Sequence, residues 1–421
     1  MDRNEAGRKV CQLVDEQRGE IIQTLSKLVG IPTVVGDEGE GQKYIRNLYT
    51  DLGLKVVSIE ADYEKIRRHK AYSEFGKPYK GRPNVVGILE GSPSAKSLIL
   101  NGHIDVVSPE PVAKWDSFPW EAKIVGGRLY GRGACDMKGG LVASYFALKS
   151  LLDAGLKPKG KVMLQSVVEE EAGGGGGTLA LFEEGFTADG LVIPEPRMKI
   201  TVASVGVYYF RVRVVGKPAH AGQAHTGVNA IGKMNKVYDA MVKMDEKRAR
   251  ERHYPLFEND SRRSCHLNMG TYRAGDWPST VAGWAELECR ISTIPGEKIE
   301  DVRREIQQAV DEVAGGDEWL KEHPPEVVWF GWNADPWEQN PSDQFVTTFK
   351  SCAEKVAGSN VDVVGVTYGL DTRFAPLFNM RALTFGPDGD NIHGVNEYVE
   401  LDSVVDCAKV LALFIMEWCG I

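Results

Sequence analysis

Apolar positions recur at helical intervals from the start of the chain: Val10, Leu13, Val14, Ile21, Ile22, Leu25, Leu28 and Val29 share one face before Gly30 and Pro32 end the pattern. They predict one amphipathic opening helix. A second helix is expected from Gly41 to Leu54, followed by a strand at Lys55–Ile59 and apolar, turn-bounded strands at 84–89 and 97–101. A long apolar helix, 140–152, then leads to a strand at 161–168. Strand, helix, strand order of this kind favours an α/β unit with parallel segments, whose ligand crevice lies at the carboxyl ends of its strands. After Pro196 the texture changes. Residues 202–215 alternate at period two, and a helix (229–244), a strand (284–291), a helix (299–313) and a short strand (326–330) follow. These elements predict an inserted α+β domain with an antiparallel sheet. The expected fold class is therefore α/β, a mixed and largely parallel sheet with helices on both faces, formed by residues 1–200 and 334–421 around an insertion at 201–333.

Composition narrows the function classes. The 421 residues are 43% hydrophobic and 26% charged, as in folded domains. The 50 Lys and Arg against 59 Asp and Glu are spread along the chain, so no positive field exists to neutralise phosphates and nucleic acid is not an expected partner. Seven cysteines without CxxC spacing argue against a disulfide framework or thiolate zinc cluster and for a reducing compartment. The polar, helix-patterned N-terminus and the absence of a long apolar run predict a cytoplasmic protein that does not engage membranes.

Four segments carry residues suited to chemistry. His103 ends the apolar strand of LNGHIDVV, and strand alternation puts Asp105 on its side, where it can orient a ligating imidazole. Asp136, in the turn GRGACDMKGG, has two readings, a helix cap or a ligand. Glu169, Glu170 and Glu171, before Ala172 and five glycines, form either a solvated acidic turn or a cation site. Glu195, in Pro194-Glu195-Pro196, and His393, in GPDGDNIHGVNEYVEL, complete the set. Two imidazoles with several carboxylates suit zinc, manganese or cobalt, and suffice for two metals sharing a carboxylate.

These five motifs occur in the order and approximate spacing of the co-catalytic metallohydrolase family of acetylornithine deacetylase, succinyl-diaminopimelate desuccinylase, carboxypeptidase G and aminoacylase, which the chain resembles over essentially its whole length. The resemblance implies a co-catalytic zinc exopeptidase-like fold with two divalent ions, Zn2+ first and Co2+ or Mn2+ as alternatives. Asp136 would bridge them, His103 and Glu195 would complete one site, Glu171 and His393 the other, and Glu170 would be the general base, with Asp105 beside His103. The insertion resembles a lid that pairs two subunits, and His220, in GKPAHAG, matches a histidine that reaches the partner's active site as an oxyanion donor.

The substrate clamp departs from the family pattern. Ser279 and Ser292 stand where Asn and Arg are common, Arg290 lies two residues earlier on the same strand face, and Arg373, in Asp371-Thr372-Arg373, is positioned to grip a substrate carboxylate. Trp115, Trp120, Trp277, Trp332 and Trp337 would suit an acyl or aromatic substrate, although packing alone accounts for most tryptophans. The expected activity is removal of an acetyl, succinyl, formyl or similar acyl group from a small amino compound by a homodimer. A dipeptidase or carboxypeptidase, and a formylaminopyrimidine-type deformylase suggested by the AGDWPST segment, are the alternatives.

Overall fold

A computed structural model describes residues 2–258 and 262–421. The chain forms two compact units. The first comprises the segment ending at Val202 together with Gln339–Val364 and Leu370–Ile421; the second comprises Ala203–Glu338 with Gly365–Gly369.

Buried apolar runs build the sheet of the first unit. Its strands lie in the order Lys55–Ile59, Asn84–Leu89, Val162–Val167, Leu98–His103, Gly190–Ser204, with Arg381–Gly386 also paired to the last. The first two pairings are antiparallel, and those that join Val162–Val167, Leu98–His103, Gly190–Ser204 and Arg381–Gly386 are parallel. Helix Gly139–Asp153 is buried almost all round and packs against the C-terminal helix Leu401–Cys419, which explains why both are apolar beyond a single stripe.

The opening segment differs from the expected single helix. It forms two, Arg3–Glu16 and Arg18–Val29, broken at Gln17. The Gln17 side chain is buried, donates to the Asp153 carboxylate at 2.6 Å and accepts from Ser150 Oγ at 2.8 Å. A buried amide needs such partners, and apolar periodicity alone does not reveal them.

A close backbone approach ties helix Gly139–Asp153 to the strand that carries Glu195. A Cβ on Gly140 would stand 2.0 Å from the Pro194 carbonyl oxygen. Gly140→Ala is therefore expected to destabilise the protein by about 1–3 kcal/mol, as overpacking does, and denaturant unfolding midpoints measure it; an unchanged midpoint would contradict the contact.

A second, four-stranded antiparallel sheet in this unit joins Gly389–Asp390, Tyr398–Glu400, Arg128–Tyr130 and Lys123–Val125. Its pairing brings the loop after residue 390 beside the turn after residue 130, although more than 250 residues separate them. This register places two of the expected ligands.

In the second unit the antiparallel order is Glu326–Ala334, Gly206–Val215, Trp284–Thr293, Leu267–Ala274. Helices Ala230–Glu251 and Ile299–Gly315 cover one face, where Phe210, Val212 and Leu287 pack in one core with Met234, Met241 and Ile306. The alternation at 202–215 does not belong to one strand. It splits at Val205, with Gly190–Ser204 in the large sheet and Gly206–Val215 in this one, because the chain passes between units there. The strand Leu267–Ala274 was not anticipated, since its residues are largely exposed and lack an apolar run.

Candidate metal centre

Strand ends and the small sheet converge on Asp136. His103 closes strand Leu98–His103 and is 2% exposed. Its Nδ1 lies 2.9 Å from the Asp105 backbone carbonyl, which can only accept, so Nδ1 carries a proton and Nε2 is the nitrogen turned toward the carboxylates. Nε2 lies 3.1 Å from Asp136 Oδ1 and 3.4 Å from Glu195 Oε1. His393 Nε2 lies 3.3 Å from Asp136 Oδ2 and 3.0 Å from Glu171 Oε1. Each oxygen of Asp136 thus faces a different imidazole.

Two groups of donor atoms result, His103–Asp136–Glu195 and Asp136–Glu171–His393, each with its ligand atoms within 4.8 Å of one another. Around a tetrahedral ion with bonds of about 2.0–2.1 Å, ligand atoms stand roughly 3.3–3.4 Å apart. The separations above bracket that value, and an imidazole with carboxylates is a suitable donor set for a divalent ion. The residues fit a metal pair.

Several readings of single motifs are settled by placement. Asp136 is not a helix cap: helix Gly139–Asp153 has Lys138 at its N-cap, and Asp136 sits in the preceding turn, whose peptide bond to Met137 is cis. The glutamates are not a solvated turn either. Glu169 and Glu170 are 0% and 8% exposed. Asp105 acts differently from the expectation, since its carbonyl rather than its carboxylate orients His103. The carboxylate, 3.8 Å from Nδ1, instead accepts the backbone N–H groups of Glu170 and Glu171 at 3.2 and 3.0 Å. It thereby holds the turn on which both glutamates sit. Glu170 itself belongs to neither donor group.

The electrostatics also suit cations. Burial, reinforced by the neighbouring carboxylates Asp371, Glu195 and Glu171, pushes the Glu170 carboxyl well above its ordinary range. Burial and the adjacent Asp136 raise Glu195. Burial would raise Asp136 too, but its contacts with His103 and His393 outweigh that and hold it low. His393, bonded to Asp136 and Glu171, is raised to about 10. Without a metal, protons fill the roles that a divalent ion would take.

Metal binding must then displace protons. At pH 7 His393 is protonated in the metal-free protein and neutral once ligating, so affinity should rise with pH by up to about tenfold per unit for each proton displaced. Calorimetry of zinc binding in buffers of different ionisation enthalpy counts those protons, and at least one per chain is expected. Binding without proton release would contradict the role of His393.

The substrate-binding expectations fare differently. Arg373 is a correction. Its guanidinium is buried and donates to the carbonyls of Ala71 at 3.4 Å and Gly173 at 2.5 Å, lying over the Phe374 ring. It fastens the glycine run behind Glu171, a role the expectation did not include. That run is glycine because it is crowded: Gly174 has φ +66°, and a Cβ there would meet the Asp371 carboxylate at 2.1 Å. In the second unit, Arg290 donates to the Thr367 carbonyl at 3.3 Å, and burial depresses its pKa. His220 is exposed, with its Nδ1 accepting from Gly222 N at 3.1 Å, and the exposed Ser279 offers its carbonyl to Ala221 N. These three belong to the second unit, and the donor groups to the first.

Sequence reasoning missed Glu397 and Arg132. Glu397 is 1% exposed and Arg132 2%, and they form an ion pair at 2.7 Å. Both stand inside quoted motifs, but only burial distinguishes them from surface charges.

A mixed α/β sheet, with His103 at a strand end and the other imidazole and carboxylates on the strands and loops beside it, defines a hydrolase whose side chains could hold metal. The model for peptidase family M20/M25/M40 matches residues 99–417, and the chain belongs to that family of amide-bond hydrolases. It is similar to an N-formyl-4-amino-5-aminomethyl-2-methylpyrimidine deformylase of Halalkalibacterium halodurans, with 30% identity over 96% of each chain. A Bacillus subtilis deformylase of the same name is 27% identical over 97% of this chain and 96% of its own. Among solved structures, the di-peptidase Dug1p of Saccharomyces cerevisiae superposes with a TM-score of 0.76 at 17% identity, covering 100% of both chains. The described residues contain no helix long and apolar enough to cross a membrane.

Proposed function

We propose that the protein is a two-metal deformylase that removes a formyl group from an uncharged heteroaromatic amine. One observation supports the choice of substrate within the family: Arg373, the cation expected to hold a substrate carboxylate, is buried and donates to the carbonyls of Ala71 and Gly173. An amine half without a carboxylate suits such a site, and two relatives, 30% and 27% identical over 96% and 97% of this chain, are named as deformylases of an aminopyrimidine.

His103, Asp136 and Glu195 would hold one ion, and Asp136, Glu171 and His393 the other, most simply zinc. When bound, such a pair supplies Lewis-acid polarisation of the amide carbonyl and acidifies the attacking water. Glu170 accepts a proton from that water as its oxygen bonds to the formyl carbon. The same carboxyl returns the proton to the nitrogen as the C–N bond breaks, giving formate and free amine. Its burial keeps the proton from bulk solvent between the two steps. Pairing of chains through the second unit, with His220 as a donor in trans, belongs to the same reading; a single-chain mass in solution would remove it.

The deciding experiment compares N-formyl, N-acetyl and N-succinyl amines and dipeptides with the zinc-loaded protein, with formate and amine as the measured products. Turnover of an N-formylaminopyrimidine at least about tenfold above the others in kcat/KM is expected. Preference for an N-acyl amino acid or a dipeptide would overturn the substrate assignment while leaving the metal chemistry intact.

A further inference from the structure

The turn that carries Asp136 is caged by one buried carboxylate. Glu397 Oε1 accepts the backbone N–H groups of Cys135 at 3.0 Å and Asp136 at 3.1 Å. Its Oε2 accepts Gly133 N–H at 2.9 Å and Arg132 Nη1 at 2.7 Å. Arg132 also donates from Nη2 to the carbonyl of Gly394, next to His393, at 2.9 Å. The backbone adds a further tie, with Gly131 N–H donating to the Glu397 carbonyl at 2.9 Å.

Four donors converge on the two oxygens of Glu397, so the position requires a group that accepts on both sides. A carboxamide would present an NH2 to one pair of those donors, and the turn would have to move away. Movement there matters because Asp136 faces two partners at once: Oδ1 faces His103 and Oδ2 faces His393. A rotation that improves one contact spoils the other. His393 sits in the loop that ends at Glu397, and the bonds from Gly131, Gly133, Cys135 and Asp136 N–H to Glu397 tie that loop to the turn whether or not Arg132 is present.

We propose that Glu397 is a positioning residue for the shared ligand: it fixes the Gly133–Asp136 backbone so that the Asp136 carboxylate spans both donor groups, and it thereby makes the two ions bind as a pair. The inference rests on the metal reading given above, and its test separates the two.

Zinc and cobalt binding to the full chain are measured by calorimetry and by cobalt visible absorption, alongside thermal melting of the metal-free protein. The wild type is expected to take up two ions per chain. Glu397→Gln is expected to bind the second ion about 10–100-fold more weakly, the range seen when a group that orients a ligand is lost, with an altered cobalt spectrum. Arg132→Met breaks the same ion pair but leaves the three backbone donors on Glu397. It is expected to melt at lower temperature while it keeps two ions at near wild-type affinity, which a purely structural role for the pair would not give. Should the carboxamide variant fail to fold, Glu397→Asp, one methylene shorter with its charge retained, takes its place with the same expected loss. Two ions bound with wild-type affinity and spectrum in the Glu397 variant would overturn the inference, as would equal metal loss in the Arg132 variant. A wild-type chain that binds no ion would overturn the metal reading itself, and this inference with it.

Discussion

Asp136→Ala is expected to lose both ions and to lower kcat/KM by at least about four orders of magnitude, because one side chain serves both donor groups. Each of its oxygens stands 3.1–3.3 Å from a different imidazole. Without it, each group retains one imidazole and one carboxylate, too few for a divalent ion that usually takes three or four protein ligands. Lewis-acid stabilisation of the transition state is worth several kcal/mol, and each ~1.4 kcal/mol is tenfold in rate. Metal content per chain and kcat/KM on the same preparation provide the measurement. The variant loses the Asp136 contacts with His103 and His393 along with its repulsion on Glu195, so thermal melting of the same preparation shows whether the loss is of metal alone. A variant with two ions and more than about a tenth of wild-type activity would refute the shared-ligand assignment.

Glu170→Ala should produce the opposite split, with full metal content and a kcat about 10^3–10^4-fold lower, the upper part of the range for loss of a general acid–base group. Glu170 is outside both donor groups, yet its backbone N–H is held by Asp105, adjacent to the ligand Glu171. Truncation of its side chain therefore removes a proton carrier without disturbing the turn. If the assignment is right, kcat falls while KM changes little. Parallel loss of metal would make Glu170 a ligand, and full activity would remove it from the reaction.

Much of this arrangement was legible in the chain itself. The strands at 55–59 and 84–89 match expectation in type and extent: Asn84–Leu89 is a buried apolar run bounded by turns, and Lys55–Ile59 pairs beside it at the sheet edge. The five residues of the donor groups were candidates as side-chain types, and their grouping was implied by the family resemblance; the structure brings their donor atoms together. Two expectations were altered by buried polar contacts. The break at Gln17 depends on Ser150 and Asp153. The diversion of Arg373 depends on the carbonyls of Ala71 and Gly173, which lie 302 and 200 residues away in the chain.

The sequence by itself determined most of the element types and the inventory of imidazoles and carboxylates, since these follow from local periodicity and residue chemistry. The tertiary structure alone decided which oxygen faces which nitrogen, that Asp105 works through two different groups, and that Glu397 rather than any ligand holds the Asp136 turn. The reason is physical: hydrogen bonds and charge pairing act over about 3 Å in space, a distance that position along the chain does not encode.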